Sequence, residues 1–372
     1  MKGLRAINTD GFGAVDNVGI AILDAGNYAF LAITNPSLGA TIYRSTDGEY
    51  WELISAHGIV GDSANKIVLS LVWFNDALYA GTWQLLTPTL GAARLFRANA
   101  KAEDVNDIVW EPVTLDGFGN LNNNAFTSGI VFDGYIYFGT FNPSEGTEVW
   151  RSRTGDPGDW ETCAPKSFSR PDNSDSTRMY VHEGYLYVGT EVARAPSMGT
   201  AIYRTAGGEG EITWEQVNID GFGEVRNDNT GAITVFDGYM YAGAWNRDGC
   251  QVWRSDMQGE LPWTWEKVVS GGFGAPRNHT IFSMAVLDGR IYVGCFGSHE
   301  GMLGSDLREG KLLTSEDGVN WTEIKNADFI SGRTVGVSSL AKYQGKLYVG
   351  LLVPLLLPLG ARCQLWVYEP LQ

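Results

Sequence analysis

One pattern recurs from end to end of the chain: D-G-F-G, an Asn, an apolar run, a D-G turn, Y-x-Y-x-G-T, a loop, V-W-R-S, a turn and W-E-x-V. The clearest copy holds Asp116-Gly117-Phe118-Gly119, Asn123, Asp133-Gly134, Tyr135 to Thr140, Val149 to Ser152 and Trp160-Glu161. The second aromatic of Y-x-Y marks each copy, at Phe30, Tyr79, Tyr137, Tyr187, Tyr241, Tyr292 and Tyr348. These markers stand 49 to 58 residues apart, so 372 residues hold seven copies. Self-similarity at this period overrides the length prior, which would divide such a chain into two or three domains.

Each copy contains four short runs of alternating apolar and polar residues, here called strands A to D, with D-G hairpin turns between A and B. Strand C follows Ile42–Ser45, Leu95–Ala98, Val149–Ser152, Ile202–Thr205 and Val252–Ser255, and strand D opens at Trp51, Trp110, Trp160, Trp214, Trp265 and Trp321. Four antiparallel strands per unit make the blade of a β-propeller. The sequence therefore predicts an all-β fold: a seven-bladed β-propeller, with residues 1–372 as a single domain. The seventh copy stops after its C strand, Leu365 to Tyr368, while Leu4 to Asp10 aligns with the D strands W-E-P-V-T-L-D and W-E-Q-V-N-I-D. The N-terminal strand is expected to complete the last blade and remove two exposed sheet edges. The 47 Gly, 16 Tyr, 16 Phe and 13 Trp suit a protein of many tight turns and aromatic-rich strands.

A formal net charge of −16 argues against a nucleic-acid partner and against anionic membranes. The apolar run 351–359 is about half the length that a spanning helix needs, and it holds two prolines. The first residues, M-K-G-L-R-A-I-N-T-D-G-F-G, contain no apolar secretory core, so a cytoplasmic location is expected. Cys163, Cys250, Cys295 and Cys363 are widely spaced and show no C-x-x-C pair, and the four histidines show no H-x-x-x-H spacing. Neither a zinc site nor a redox motif is indicated. No metal or other cofactor is expected, apart from calcium at a ring of asparagines: Asn65, Asn123, Asn173, Asn227 and Asn278, with Asn17 nearby and Thr334 in the seventh copy. The alternative for that ring is that each amide ties down its own D–A loop.

Two C–D turns read S-x-D-G-x-x-W, at Ser45 to Trp51 and Ser315 to Trp321. On those residues the chain resembles the Asp-box (BNR-type) repeat propellers. In that family the motif is a structural turn away from the active site, so the resemblance implies fold and not chemistry. The family includes sialidases, whose activity is not carried over, because this chain has seven repeats where they have six blades and lacks an F-R-I-P segment. Arg44, Arg97, Arg151, Arg204 and Arg254 share one repeat position, which marks them as scaffold. Seven blades with Gly-aromatic repeats are also similar to the propeller half of the aromatic-alkylating enzymes of the cylindrocyclophane pathway, at the level of fold.

Residues that break a repeat column need a reason other than architecture. The column directly after G-T reads Thr34, Trp83, Phe141, Glu191, Trp245, Phe296 and Leu352: mostly apolar or aromatic, with one carboxylate. Leu85, Leu86 and the apolar loop 352–359 extend it, and that loop is a candidate contact between copies of the chain. The strand A column five residues before the D-G turn reads Ala21, Ser70, Ser128, Arg178, Ala232, Ser283 and Ser339, where Arg178 is the exception. The fourth copy also replaces D-G-F-G with Lys166-Ser167-Phe168-Ser169. His279 and His299 are placed to reach the same mouth of the channel.

The expected site is one asymmetric pocket for a hydrophobic or aromatic small molecule. Glu191 and Arg178 are its acid/base and anchoring groups, and Trp83, Phe141, Trp245, Phe296, Leu352 and His279 form its walls. A carboxylate among aromatic rings should titrate high and carry a proton near neutrality. The chemistry this suggests is cyclisation or alkylation without a redox cofactor. Two alternatives stand beside it: a non-catalytic binding propeller, lectin-like or protein-docking, and an Arg178–Glu191 ion pair that merely plugs the channel.

Overall fold

The computed structural model describes residues 3–14, 16–84, 91–193, 197–297, 310–325, 329, 336–353 and 362–369. Among them the chain forms an all-β propeller whose strands pair into seven consecutive antiparallel sheets of four. The third blade is representative, with strand A at Ala125–Phe132, B at Tyr135–Phe141, C at Val149–Ser152 and D at Glu161–Thr162. In blade 4, strand A is Asn173–His182 and strand B is Tyr185–Val192. The seventh blade is Gly336–Tyr343, Lys346–Leu352 and Gln364–Tyr368, closed by Leu4–Asn8, whose Leu4 lies opposite Tyr368 and Ala6 opposite Trp366. No helix among the described residues is long and apolar enough to cross a membrane.

The repeat residues turn out to be the joints between blades. Tyr348, Tyr79 and Tyr241, all marker aromatics, reach the C–D turn of the next blade, where they meet Gly48, Gly155 and Gly318. A Cβ on any of these glycines would fall within about 2 Å of a tyrosine hydroxyl, and all three also have positive φ, so both halves of the contact demand glycine. The arginine column does the same work by hydrogen bonding. Arg44 donates to the carbonyls of Ala100 and Ala102 of blade 2, and Arg151 donates to those of Gly208 and Gly210 of blade 4 while lying 4.6 Å over the Tyr135 ring. In the turn at Ser45, the main-chain N–H of Gly48 donates to Ser45 Oγ, and those of Glu49 and Tyr50 donate to Asp47 Oδ1.

The D–A loops hold a phenylalanine in a left-handed conformation: Phe12, Phe118, Phe168, Phe222 and Phe273 all have φ between 52° and 60°. Such a φ is strained for a bulky residue. Stacking offsets the strain. Phe118 lies 4.8 Å from Trp150 and 4.9 Å from Trp160, and Phe168 stacks on Tyr203 at 4.2 Å. The D-G turns have positive φ at both central residues (48° and 75° at Asp133-Gly134), the mirror-image turn that matches strand twist.

Strand A is irregular in six blades. A register shift separates Val68 from Ser70, Phe126 from Ser128, Asp175 from Arg178, Thr230 from Ala232, Ile281 from Ser283 and Val337 from Ser339. Blade 1 keeps an unbroken register from Gly19 to Asp24. Each bulge turns one extra residue toward the channel, and this decides what the channel contains.

Candidate functional site

A cavity of about 410 Å³ occupies the channel at the end where A strands begin and B strands finish. That volume is typical of small-molecule sites. Its wall includes the bulged residues of all six irregular strands, Leu69, Thr127, Thr177, Gly231, Phe282 and Ser338. The ends of the B strands supply Thr34, Trp83, Phe141, Glu191, Trp245 and Leu352. Six of the seven residues of the column after G-T thus converge on one space.

The aromatics of this column are positioned by the sheet itself. They sit at the ends of strands and not on loops, and their backbones bridge to the next blade: Trp83 pairs with Ala125, Phe141 with Asp175, Glu191 with Asn229 and Phe296 with Gly336. The rings of Trp83, Phe141 and Phe296 are therefore held by main-chain pairing on both sides. Trp83 meets Phe141 edge to face at 6.4 Å, and Trp245 meets Phe282 edge to face at 5.3 Å. Gly231 permits the second arrangement, since a Cβ there would lie 2.7 Å from Trp245 Nε1 and 2.2 Å from the Ile281 carbonyl oxygen.

Two expected wall residues lie elsewhere. Phe296 is fully buried and stands behind the wall, 5.5 Å from Phe282, which takes its place. His279 is buried one residue ahead of strand A of blade 6, and its carbonyl accepts from the Asn246 N–H. The residue after the Asn, represented by Val18, Lys66, Asn124, Ser174, Asp228 and His279, is absent from the wall in each of these blades. Strand alternation sends it to the other side. Leu85, Leu86, His299, Thr334 and residues 354–359 lie outside the described residues.

Asp175, which the sequence reading passed over, is the cross-strand neighbour of Glu191 and shares the cavity wall. Its Oδ1 accepts from Thr127 Oγ1 at 2.6 Å, while Glu191 Oε2 accepts from Asn229 Nδ2 at 2.6 Å. The signal was present two residues after the Asn column, where Asp175 is the one acid among Gly19, Ile67, Ala125, Asn229, Thr280 and Gly336.

Arg178 corrects the expected Arg178–Glu191 pair. Its guanidinium donates to two main-chain carbonyls, from Nε to Gly231 at 2.9 Å and from an Nη to Phe282 at 2.5 Å, and it makes no ion pair with Glu191. Serines in the same column do the shorter version of this task. Ser70 Oγ donates to the Phe126 carbonyl, Ser128 Oγ to that of Ser176 and Ser339 Oγ to that of Ile20. Arg178 is thus a staple that reaches across two blades.

Burial pushes Glu191 up to about 7, with the nearby charge of Asp228 adding to the shift and the Asn229 hydrogen bond opposing it. Burial and then the Glu191 charge hold Asp175 well above the usual carboxylate range, against the pull of Thr127 and Arg178. Burial also lowers Arg178, and Asp175 offsets part of that effect. Two neighbouring carboxyls resist ionising together, so near neutrality the pair favours keeping a proton.

The asparagine ring serves the loops. Asn17, Asn65, Asn123, Asn173, Asn227 and Asn278 each donate Nδ2 to a carbonyl of their own D–A loop. The oxygens of Asn17, Asn65, Asn123, Asn173 and Asn227 accept from Asn35, Gln84, Asn142, Thr190 and Asn246. In those five asparagines both ends of the amide are partnered, by the D–A loop and by a side chain at or just beyond the end of strand B.

No family model matches the chain, and no curated protein does. Solved structures do match in fold. An ancestral GH74 enzyme is similar with a TM-score of 0.61 at 14% identity, covering 95% of this chain and 48% of that one. This chain therefore spans about half the length of that enzyme. The β-propeller domain of the Trilobed protease from Pyrococcus furiosus is similar with a TM-score of 0.53 at 9% identity, over 96% of this chain and 95% of that one. At these identities the likeness establishes a β-propeller and nothing about chemistry.

Proposed function

We propose that this propeller binds one largely apolar organic molecule in the channel cavity, and that the Asp175–Glu191 pair exchanges a proton with it. The observation that supports this reading is the asymmetry of the wall. Aromatic and aliphatic groups come from several blades, but both carboxyls come from blade 4. A multivalent lectin would repeat equivalent groups blade by blade. In the ionised form Glu191 accepts a proton from the ligand and becomes the carboxylic acid; in the neutral form it returns one. Arg178 acts as a positioning residue that fixes strand A of blade 4, with Asp175 three residues away. The reading takes residues 1–372 as one seven-bladed domain of the Asp-box repeat type, working without a resident metal or redox cofactor. Ring-closing and alkylating reactions, which need a proton moved beside an aromatic wall, are the matching classes. The GH74 enzyme and the protease named above show that propellers of this kind accompany several activities, so the reaction class rests on the cavity alone.

The test is a calorimetric titration of neutral aromatic molecules into the full chain. Binding at one site per chain is expected, with Trp245→Ala and Trp83→Ala each weakening it by about tenfold or more, as loss of a contacting aromatic does. Unchanged affinity in both variants would remove the cavity as the site.

A further inference from the structure

We infer that the molecule this cavity accepts carries a positively charged nitrogen on an apolar or aromatic body, seated against the tryptophans with the Asp175–Glu191 pair as its counter-charge. This rests on the reading of the cavity as a ligand site and adds the ligand's class.

The charges on the wall carry the inference. Among the described lining residues there are two carboxyls and one cation, Arg178. The Arg178 Nε and one Nη are committed to the carbonyls of Gly231 and Phe282. A third acid, Asp228, stands behind Glu191, and Arg247 faces it. The cavity is therefore one positive charge short of balancing its own acids, and it corrects this by keeping a proton. A ligand that brings a positive charge lets that proton leave.

The rest of the wall selects among cations. Trp83, Phe141, Trp245 and Phe282 present rings to the space, and Ile20, Ile22, Ile67, Leu69, Leu340 and Leu352 fill between them. Ring faces attract organic cations, most strongly where water is excluded. A calcium or magnesium ion instead needs about six oxygen ligands, and this wall is mostly hydrocarbon. No cluster of three metal-ligating side chains occurs among the described residues. An anionic ligand would face two acids. A neutral ligand would leave the imbalance as it is.

The sign of the pH dependence follows. The groups facing Glu191 are Asp175 on the neighbouring strand of its own blade, Arg178 farther along that strand, Asp228 and Asn229 on blade 5, and the neutral Thr127 and Phe141 on blade 3. A bound cation lowers the affinity of this set for its proton. Cation affinity therefore climbs as pH rises toward about 7, the value of ligand-free Glu191, and levels off above it. Below that value, binding releases a proton.

The experiment compares benzyltrimethylammonium with its neutral carbon isostere neopentylbenzene, titrated into the full chain at about pH 5.5 and about pH 8, in buffers of different ionisation heat so that protons are counted. Expected are ammonium affinity about tenfold higher at the upper pH, proton release at the lower, and neopentylbenzene binding that is weaker and indifferent to pH. Glu191→Gln should remove most of the pH dependence and proton release, with Asp175→Asn as the second variant should the first not fold. If neopentylbenzene binds as tightly as the ammonium, the cationic class is wrong and the cavity survives as a binding site. If neither probe binds, the cationic class and the cavity reading fall together.

Discussion

Blades 3 and 4 are neighbours built on one pattern, and the differences that bear on the cavity lie at a few inward positions and one loop. In both, the Asn amide ties the D–A loop, Asn123 to the Gly117 carbonyl at 2.9 Å and Asn173 to the Ser167 carbonyl at 3.0 Å. In both, strand A bulges and staples the next blade. Blade 3 does so with Ser128 and blade 4 with Arg178. Where blade 3 has Ala125 and Phe141, blade 4 has Asp175 and Glu191. Where the blade 3 loop runs Gly117-Phe118-Gly119, blade 4 holds Ser167, Phe168 and Ser169 at φ of 55°, 52° and 62°. Three successive non-glycine residues in the left-handed region cost stability that blade 3 does not lose. The comparison teaches that one joint between blades can be made by a short side chain or a long one, while the faces turned to the channel are free to acquire charge.

The largest effect should come from converting blade 4 to blade 3 at the staple. Arg178→Ser leaves the Phe282 carbonyl without its donor and Asp175 without its nearby cation. A loss of about 3 kcal/mol is expected in urea denaturation, against about 1 kcal/mol for Ser128→Ala in blade 3. Equal losses would show that the arginine does no more than the serine.

A smaller effect, with a defined sign, attends Glu191→Gln. Glu191 in the folded protein titrates at about 7, above its ordinary 4.5, so the folded state holds the proton more tightly than the unfolded chain. Stability from this group is full below the unfolded value and is lost as pH rises through the folded one. Wild type should lose at most about 3 kcal/mol between those limits, and Glu191→Gln should flatten that part of the profile. The variant should match wild type near pH 4.5 and exceed it at pH 8, by thermal melts across the range. A wild-type profile that rises over this interval would contradict the buried, proton-holding pair.

The smallest effect tests the loop. Ser169→Gly should stabilise blade 4 by about 0.5–1 kcal/mol, and Gly119→Ser should destabilise blade 3 by a similar amount. Opposite shifts in melting temperature are the expected result, and shifts of the same sign would remove backbone strain as the cause.

Much of the scaffold was legible because it repeats. Seven marker aromatics, the D-G turns and the arginine column each recur along the chain; the D-G turns join strands A and B within a blade, while Tyr79, Tyr241, Tyr348, Arg44 and Arg151 reach the next blade. Much of the wall was legible as one column, the one after G-T, and Glu191 and Arg178 emerged where they broke theirs. Asp175 escaped because strand A was represented by one column alone, five residues before the D-G turn. The bulge adds a residue and shifts the inward face, so Leu69, Thr127 and Gly231 take the wall in place of Ser70, Ser128 and Ala232. Blade 1 has no bulge, and there Ala21 itself stays on the wall. The partners of Arg178 were illegible for a different reason. A guanidinium on a long stem reaches main-chain oxygens two blades away, and no pattern in side-chain types records that.

The pairing of Leu4–Asn8 with Gln364–Tyr368 carries a consequence for the order of events during synthesis. Of the described strands, the earliest in the chain pairs with the latest. Blades 1 to 6 have all their strands in consecutive order and can form as they emerge, whereas residues 4–8 must wait, unpaired, for partners made some 360 residues later. Waiting strands are exposed to wrong partners, including the same strand of another nascent chain. Leu4–Asn8 is suited to the delay: it is five residues long, and its Arg5 ends between Glu49 and Glu369, a charge that discourages like strands from pairing in the meantime. Ring closure is in this sense a proofreading step, passed only once residues 364–368 have been translated.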